Sequence, residues 1–177
     1  MSGKSAVIFC ASGEDIDPRY NEEACKVVRL LASKGYRIVS GGTTKGTMRV
    51  VADEAAAMGV ENVGIVPRFM ENLEHGSLTE LTWTDTMSAR KDLMRSYAPD
   101  LAIALPGGIG TMDELFETYT LRKLGKYPGR VVAYNCYGFY DGLRDMLDRF
   151  VAEGMLDARS RAMIDFVEDT AQLEKII

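Results

Sequence analysis

Residues 101–124 read LAIALPGGIGTMDELFETYTLRKL. The apolar run 101–105 has the length of a buried strand and no polar alternation. Pro106-Gly107-Gly108-Ile109-Gly110 breaks it, and a helical pattern begins at Thr111. Strand, glycine turn and helix start in succession hold a phosphate well. Glycines let the backbone approach the anion, and the first N–H groups of the helix point at it with the helix dipole behind them.

The chain on either side repeats this alternation. Residues 6–11 (AVIFCA) predict a strand, and Asp17-Pro18 is a helix-start signal, with aspartate as N-cap and proline in the first turn. The helix is expected over 18–34, with Ala24, Val27, Val28 and Leu31 on one face and Gly35 ending it. Residues 36–40 read as a second strand, 41–46 (GGTTKG) as a second glycine turn, 47–58 as a helix and 62–66 as a third strand. Residues 68–76 are irregular, 78–84 a short strand and 86–97 a helix stopped by Pro99. Beyond the central stretch, a strand over 130–135, a helix over 139–153, a strand over 164–167 and a C-terminal helix complete the pattern. Apolar strands alternating with helices imply a parallel sheet covered on both faces. Ligands in such sheets bind beyond the carboxyl ends of the strands, where the winding reverses. Both glycine turns follow strands at that end.

Composition bounds the function. A chain of 177 residues, 46% hydrophobic and 27% charged, suits one soluble domain, 1–177, with its own core. A net charge of −5 argues against a nucleic-acid surface. No apolar run approaches a membrane span, and MSGKSAVIFCASGED at the N-terminus lacks a secretory pattern, so a cytoplasmic protein is expected. Cys10, Cys25 and Cys136 lie far apart and read as reduced thiols in a core. One histidine, His75, and no CxxC or HExxH make a zinc site an unsuitable reading. Gly41 to Thr47 nearly spells a P-loop, but Thr47 stands where the phosphate-reaching lysine belongs; Asp113 occupies the third glycine position of a dinucleotide fingerprint.

A candidate catalytic pair comes from helical periodicity. At about 100° per residue, Met87, Ala89, Leu93, Met94 and Tyr97 share one arc of the 86–97 helix and Arg90 falls inside it. Ser88, Asp92, Arg95 and Ser96 take the opposite face. Arginine in an apolar stripe is costly unless it meets an anion, and its planar fork suits carboxylate or phosphate. A structural ion pair or a snorkelling side chain also accounts for it. On the next helix, Glu114 completes a capping box if Thr111 is the cap, and is free if Gly110 is.

Met87-Ser88-Ala89-Arg90-Lys91 and Pro106-Gly107-Gly108-Ile109-Gly110-Thr111-Met112-Asp113-Glu114 resemble the M-x-x-R-K and P-G-G-x-G-T-x-x-E segments of the LONELY GUY (LOG) family. The likeness runs over most of the chain. It implies a Rossmann-like three-layer α/β sandwich with a doubly wound, mostly parallel sheet. It implies phosphoribohydrolase activity, cleaving a nucleoside 5′-monophosphate such as AMP or a cytokinin riboside monophosphate to free base and ribose 5-phosphate, with no cofactor. By position, the resemblance makes Glu114 and Arg90 catalytic. It gives phosphate and ribose binding to Gly107, Gly108, Gly110 and Thr111, with Lys91 beside them and Thr120 near the substrate. Ile109 and Gly42, on the two glycine turns, and Met87, as a cover for the base, complete the candidate binding residues, and no metal is expected. The resemblance implies a homodimer with residues of the neighbouring subunit near the pocket. The chain departs from the family pattern at Gly41-Gly42-Thr43-Thr44-Lys45-Gly46-Thr47-Met48-Arg49 (usually G-G-G-x-x-G-L-M-G), at Ser88 (usually His) and at Cys10-Ala11-Ser12-Gly13 (usually C-G-S-S). A nucleotide sensor or cofactor carrier would keep the anion turn without needing the Glu114–Arg90 pair. A pyridoxal-dependent lysine decarboxylase would need a lysine with a supporting constellation, and none is identifiable.

Overall fold

The computed structural model describes residues 3–177; Met1 and Ser2, at the head of the segment read for a secretory pattern, lie outside them. Seven strands form one sheet: β1 (Lys4–Phe9), β2 (Tyr36–Ser40), β3 (Asn62–Pro67), β4 (Glu80–Thr84), β5 (Leu101–Ala104), β6 (Arg130–Tyr134) and β7 (Ile164–Val167). Every pairing is parallel, in the order β4-β3-β2-β1-β5-β6-β7. The chain winds outward from β1 to β4, returns to the other side of β1 as β5, and winds outward again. The reversal therefore lies between β1 and β5, which pair from Ala6↔Leu101 to Phe9↔Ala104.

The helices are α1 (Pro18–Ser33), α2 (Gly46–Ala57), α3 (Met87–Tyr97), α4 (Ile109–Lys123), α5 (Asp141–Ala152), α6 (Ala158–Arg161) and α7 (Thr170–Glu174). Strand alternation assigns them to layers. Ala6, Ile8, Ile38, Leu101 and Ile103 face a core with Val27, Leu31 and Val51 of α1 and α2 and Leu173 of α7. Val7, Phe9, Val39, Ala102 and Ala104 face the opposite core, with Met94 of α3, Leu115 of α4 and Leu147 of α5. The result is the doubly wound α/β sandwich expected. Central strands buried on both faces are why the runs carry no polar alternation. Each large aliphatic side chain buried there contributes about 1.5–3 kcal/mol.

Boundaries differ locally. β1 begins and ends two residues before the expected strand. The 139–153 helix starts at Asp141, after a 3-10 turn over Cys136–Gly138, and α6, capped by Asp157, was not anticipated. α4 starts at Ile109 with Gly108 as its N-cap, so Thr111 is already inside the helix and neither Thr111 nor Gly110 is the cap. The burial of α3 corrects its helical wheel. Arg95, expected on the polar face, is 6% exposed and pairs with Glu117 at 2.8 Å, while Ala89, expected in the apolar stripe, is exposed. Glu117 of α4, with Asp92 one turn back on α3, makes the second arginine of α3 a buried residue.

Candidate active site

The loops leaving β1 and β5 diverge to opposite faces of the sheet, toward α1 and α4, and the crevice between them opens into a cavity of about 700 Å³. This is where a doubly wound sheet places its ligand. Its floor is built from two helices. α3 is capped by Thr86, whose hydroxyl accepts from the Ala89 amide at 3.1 Å, and this sets Arg90 one turn in, pointing down onto the sheet. The Arg90 guanidinium is held by three acceptors: Nε donates to the Ile65 carbonyl at 2.8 Å, Nη2 to the Gly41 carbonyl at 3.3 Å, and Nη1 to Glu114 Oε1 at 3.3 Å. A side chain on Gly41 would overlap both the guanidinium and the Met48 sulfur, so any larger residue would push Arg90 or Met48 from its place.

Glu114 reaches the floor because α4 begins early. With Gly108 as cap, Glu114 lies in the second turn, and its side chain turns inward to Arg90 instead of back to the helix start. Both partners are buried, with side chains 6% and 9% exposed. Burial pushes the Glu114 carboxyl up to about 7, against the pull of Arg90. A carboxyl so placed exchanges its proton near neutral pH, as a catalytic acid or base must. Burial, followed by the nearby Glu114, also raises the Cys10 thiol, which keeps that sulfur a neutral wall of the cavity.

Gly108 offers no side-chain cap, and the first intrahelical bond runs from the Met112 amide to the Gly108 carbonyl. The amides of Ile109, Gly110 and Thr111 therefore have no acceptor within the helix and sit at its positive end, at the cavity wall. Gly107 lies behind them, where a Cβ would collide with Thr111.

Of the residues singled out from the sequence, Arg90, Glu114, Gly108, Ile109, Gly110, Thr111 and Met87 converge on this cavity. Gly107 and Gly42 stand just behind its wall, Gly42 packed on Gly64. Lys91 and Thr120 line a separate shallow depression on the outer face of α4, where Lys91 bonds Asp113 and Glu117 at 2.9 and 3.0 Å. Sequence reading missed Gly41, Met48, Met70 and Leu73. The last two come from the irregular 68–76 segment, which the Thr44 amide to Leu73 carbonyl and His75 amide to Gly42 carbonyl bonds fasten over the second glycine turn. No periodicity could have marked them. Among the described residues, no group of His, Cys, Asp and Glu is arranged to hold a metal, and no helix is long and apolar enough to cross a membrane.

The family described as "Possible lysine decarboxylase" matches residues 48–177. A cytokinin riboside 5'-monophosphate phosphoribohydrolase of Mycobacterium tuberculosis is 32% identical over 170 residues, 93% of this chain and 90% of the relative. The enzyme of that name called LOG2 in Arabidopsis thaliana is 31% identical over 172 residues, covering 96% and 80%. The molybdenum cofactor carrier protein of Chlamydomonas reinhardtii superposes with a TM-score of 0.72 over 98% of this chain and 95% of that one. At 18% identity that likeness speaks for the fold alone.

Proposed function

The chain belongs to the LOG family, whose sequences carry the description "Possible lysine decarboxylase", and from that premise we propose that it is a nucleoside 5′-monophosphate phosphoribohydrolase. Its substrate is AMP or an N6-modified adenosine monophosphate, and its products are free base and ribose 5-phosphate. The observation that carries this reading is the buried Arg90–Glu114 contact on the floor of a cavity whose wall is a helix start with free amides.

N-glycosidic cleavage develops positive charge at the anomeric carbon. The C1′–N bond breaks with its electron pair leaving on the base nitrogen, which takes up a proton, and water supplies the hydroxyl at C1′. Glu114, ionised, stabilises that cation directly, as nucleophile or by activating the water. Arg90 holds the carboxylate in place and favours its charged form. The phosphate sits on the amides of Ile109, Gly110 and Thr111, and this remote binding orients the sugar over Glu114. Met48, Met70, Leu73 and Met87 give the base an apolar, adaptable wall.

The working form we propose is one nucleotide-binding domain per chain, in a cytoplasmic homodimer. An Ile109 that is 87% exposed beside Met112 and Phe116 supports an apolar contact face, and three free cysteines suit a reducing compartment. The experiment is release of free base from AMP by the wild-type chain and by Glu114→Gln. Turnover in the wild type that falls at least 100-fold in the variant supports the reading; equal turnover removes Glu114 from the mechanism.

A further inference from the structure

Among the described residues, four charged side chains line the cavity: Glu14, Lys45, Arg90 and Glu114. Arg90 is buried and committed to two carbonyls and Glu114. A phosphomonoester dianion entering the cavity therefore meets one cation that is not already fixed, Lys45. The backbone of Lys45 is the N-cap of α2, so the stem is well placed, while the head stands at the rim with the side chain 45% exposed. Its ion-pair partner is Glu14 Oε1 at 3.4 Å, on the loop after β1, with a side chain 60% exposed. A solvent-exposed pair at that distance contributes little and exchanges readily.

We propose that Lys45 selects for the 5′-phosphate: its ammonium leaves Glu14 and closes on the phosphomonoester seated at the start of α4, and Glu14 is a placeholder that holds the lysine over the cavity until substrate arrives. The inference rests on the phosphoribohydrolase reading. A P-loop lysine follows the last glycine of its turn; here Lys45 precedes Gly46 and lines the same cavity as the α4 start, so the anion is gripped between two turns. Charge-assisted contact with the exposed lysine raises affinity for the phosphorylated sugar and does nothing for the bare sugar.

Titration calorimetry of the full chain with ribose 5-phosphate and ribose, together with KM for AMP from initial rates of base release, tests this. Lys45→Met is expected to weaken ribose 5-phosphate and raise KM for AMP about five- to tenfold and to flatten the salt dependence of binding, with Lys45→Arg close to wild type. Glu14→Gln is expected to shift both the opposite way about two- to threefold, and the double variant to behave like Lys45→Met. A Lys45→Met chain that binds the phosphorylated ligands as the wild type does would overturn the proposal, as would a Glu14→Gln chain that binds them more weakly. A wild-type chain that neither binds ribose 5-phosphate nor releases base from AMP would overturn the underlying reading and the proposal with it.

Discussion

Glu114→Gln should make the protein's stability respond to pH in a new way. Burial holds the Glu114 carboxyl at about 7 in the folded chain, against 4.5 for the free side chain. The folded state thus binds this proton more tightly than the unfolded state does. Below about pH 4.5 both states are protonated and burial of the group carries no ionic penalty. Between 4.5 and 7 the unfolded chain ionises first, so stability falls as pH rises, and above about 7 the full penalty is present. The difference corresponds to about 3 kcal/mol, to order of magnitude. Glutamine keeps the shape and cannot ionise. It also leaves Arg90 without its anion, but that loss relative to the protonated acid is the same at both ends of the window. Urea unfolding of both chains at pH 4.5 and pH 8 isolates the effect: the variant should gain about 3 kcal/mol relative to wild type between the two, or roughly 6–12 °C in Tm for a chain of this length. Parallel pH curves for the two chains would refute the argument, because they would mean that Glu114 titrates as an ordinary surface glutamate.

Arg90→Ala leaves Glu114 buried without its cation; at pH 8 it should cost about 3–5 kcal/mol by urea unfolding and displace the pH dependence of any residual base release toward alkaline values. For the wild type, kcat/KM for AMP should rise about tenfold per pH unit below pH 7 and level off above it, which a pH–rate profile checks. Gly41→Ala drives a methyl group into the Arg90 guanidinium and the Met48 sulfur, so base release should fall more than tenfold while the far-UV circular dichroism stays that of the wild type.

The architecture could be read from the chain because its central strands are buried on both faces, which leaves short apolar runs such as 101–105 with turn residues at each end. Arg90 was legible for the opposite reason: a cation in the arc of Met94 and Tyr97 demands an anion, and Glu114 supplies it. The start of α4 was misplaced by two residues because its cap is Gly108, which leaves no side-chain signature where Thr111 offers a strong one. Arg95 looked solvent-facing because its partner Glu117 belongs to another helix, and single-helix periodicity cannot register a neighbour. The apolar wall from Met70 and Leu73 had no local signal, since backbone bonds from Thr44 and His75 position that irregular segment. Lys91, adjacent to Arg90 in sequence, turns to Asp113 and Glu117, as the 100° step between neighbouring helical residues requires.

The most direct measurement is chromatography of free base liberated by the purified chain from AMP, an N6-alkylated AMP, other nucleoside 5′-monophosphates and the matching unphosphorylated nucleosides. The account predicts free adenine or its N6-alkylated form together with ribose 5-phosphate from the monophosphates, and release at least 100-fold slower from the nucleosides. Nucleosides cleaved as fast as their monophosphates, or no base from any of them while nucleotide binds tightly, would contradict it.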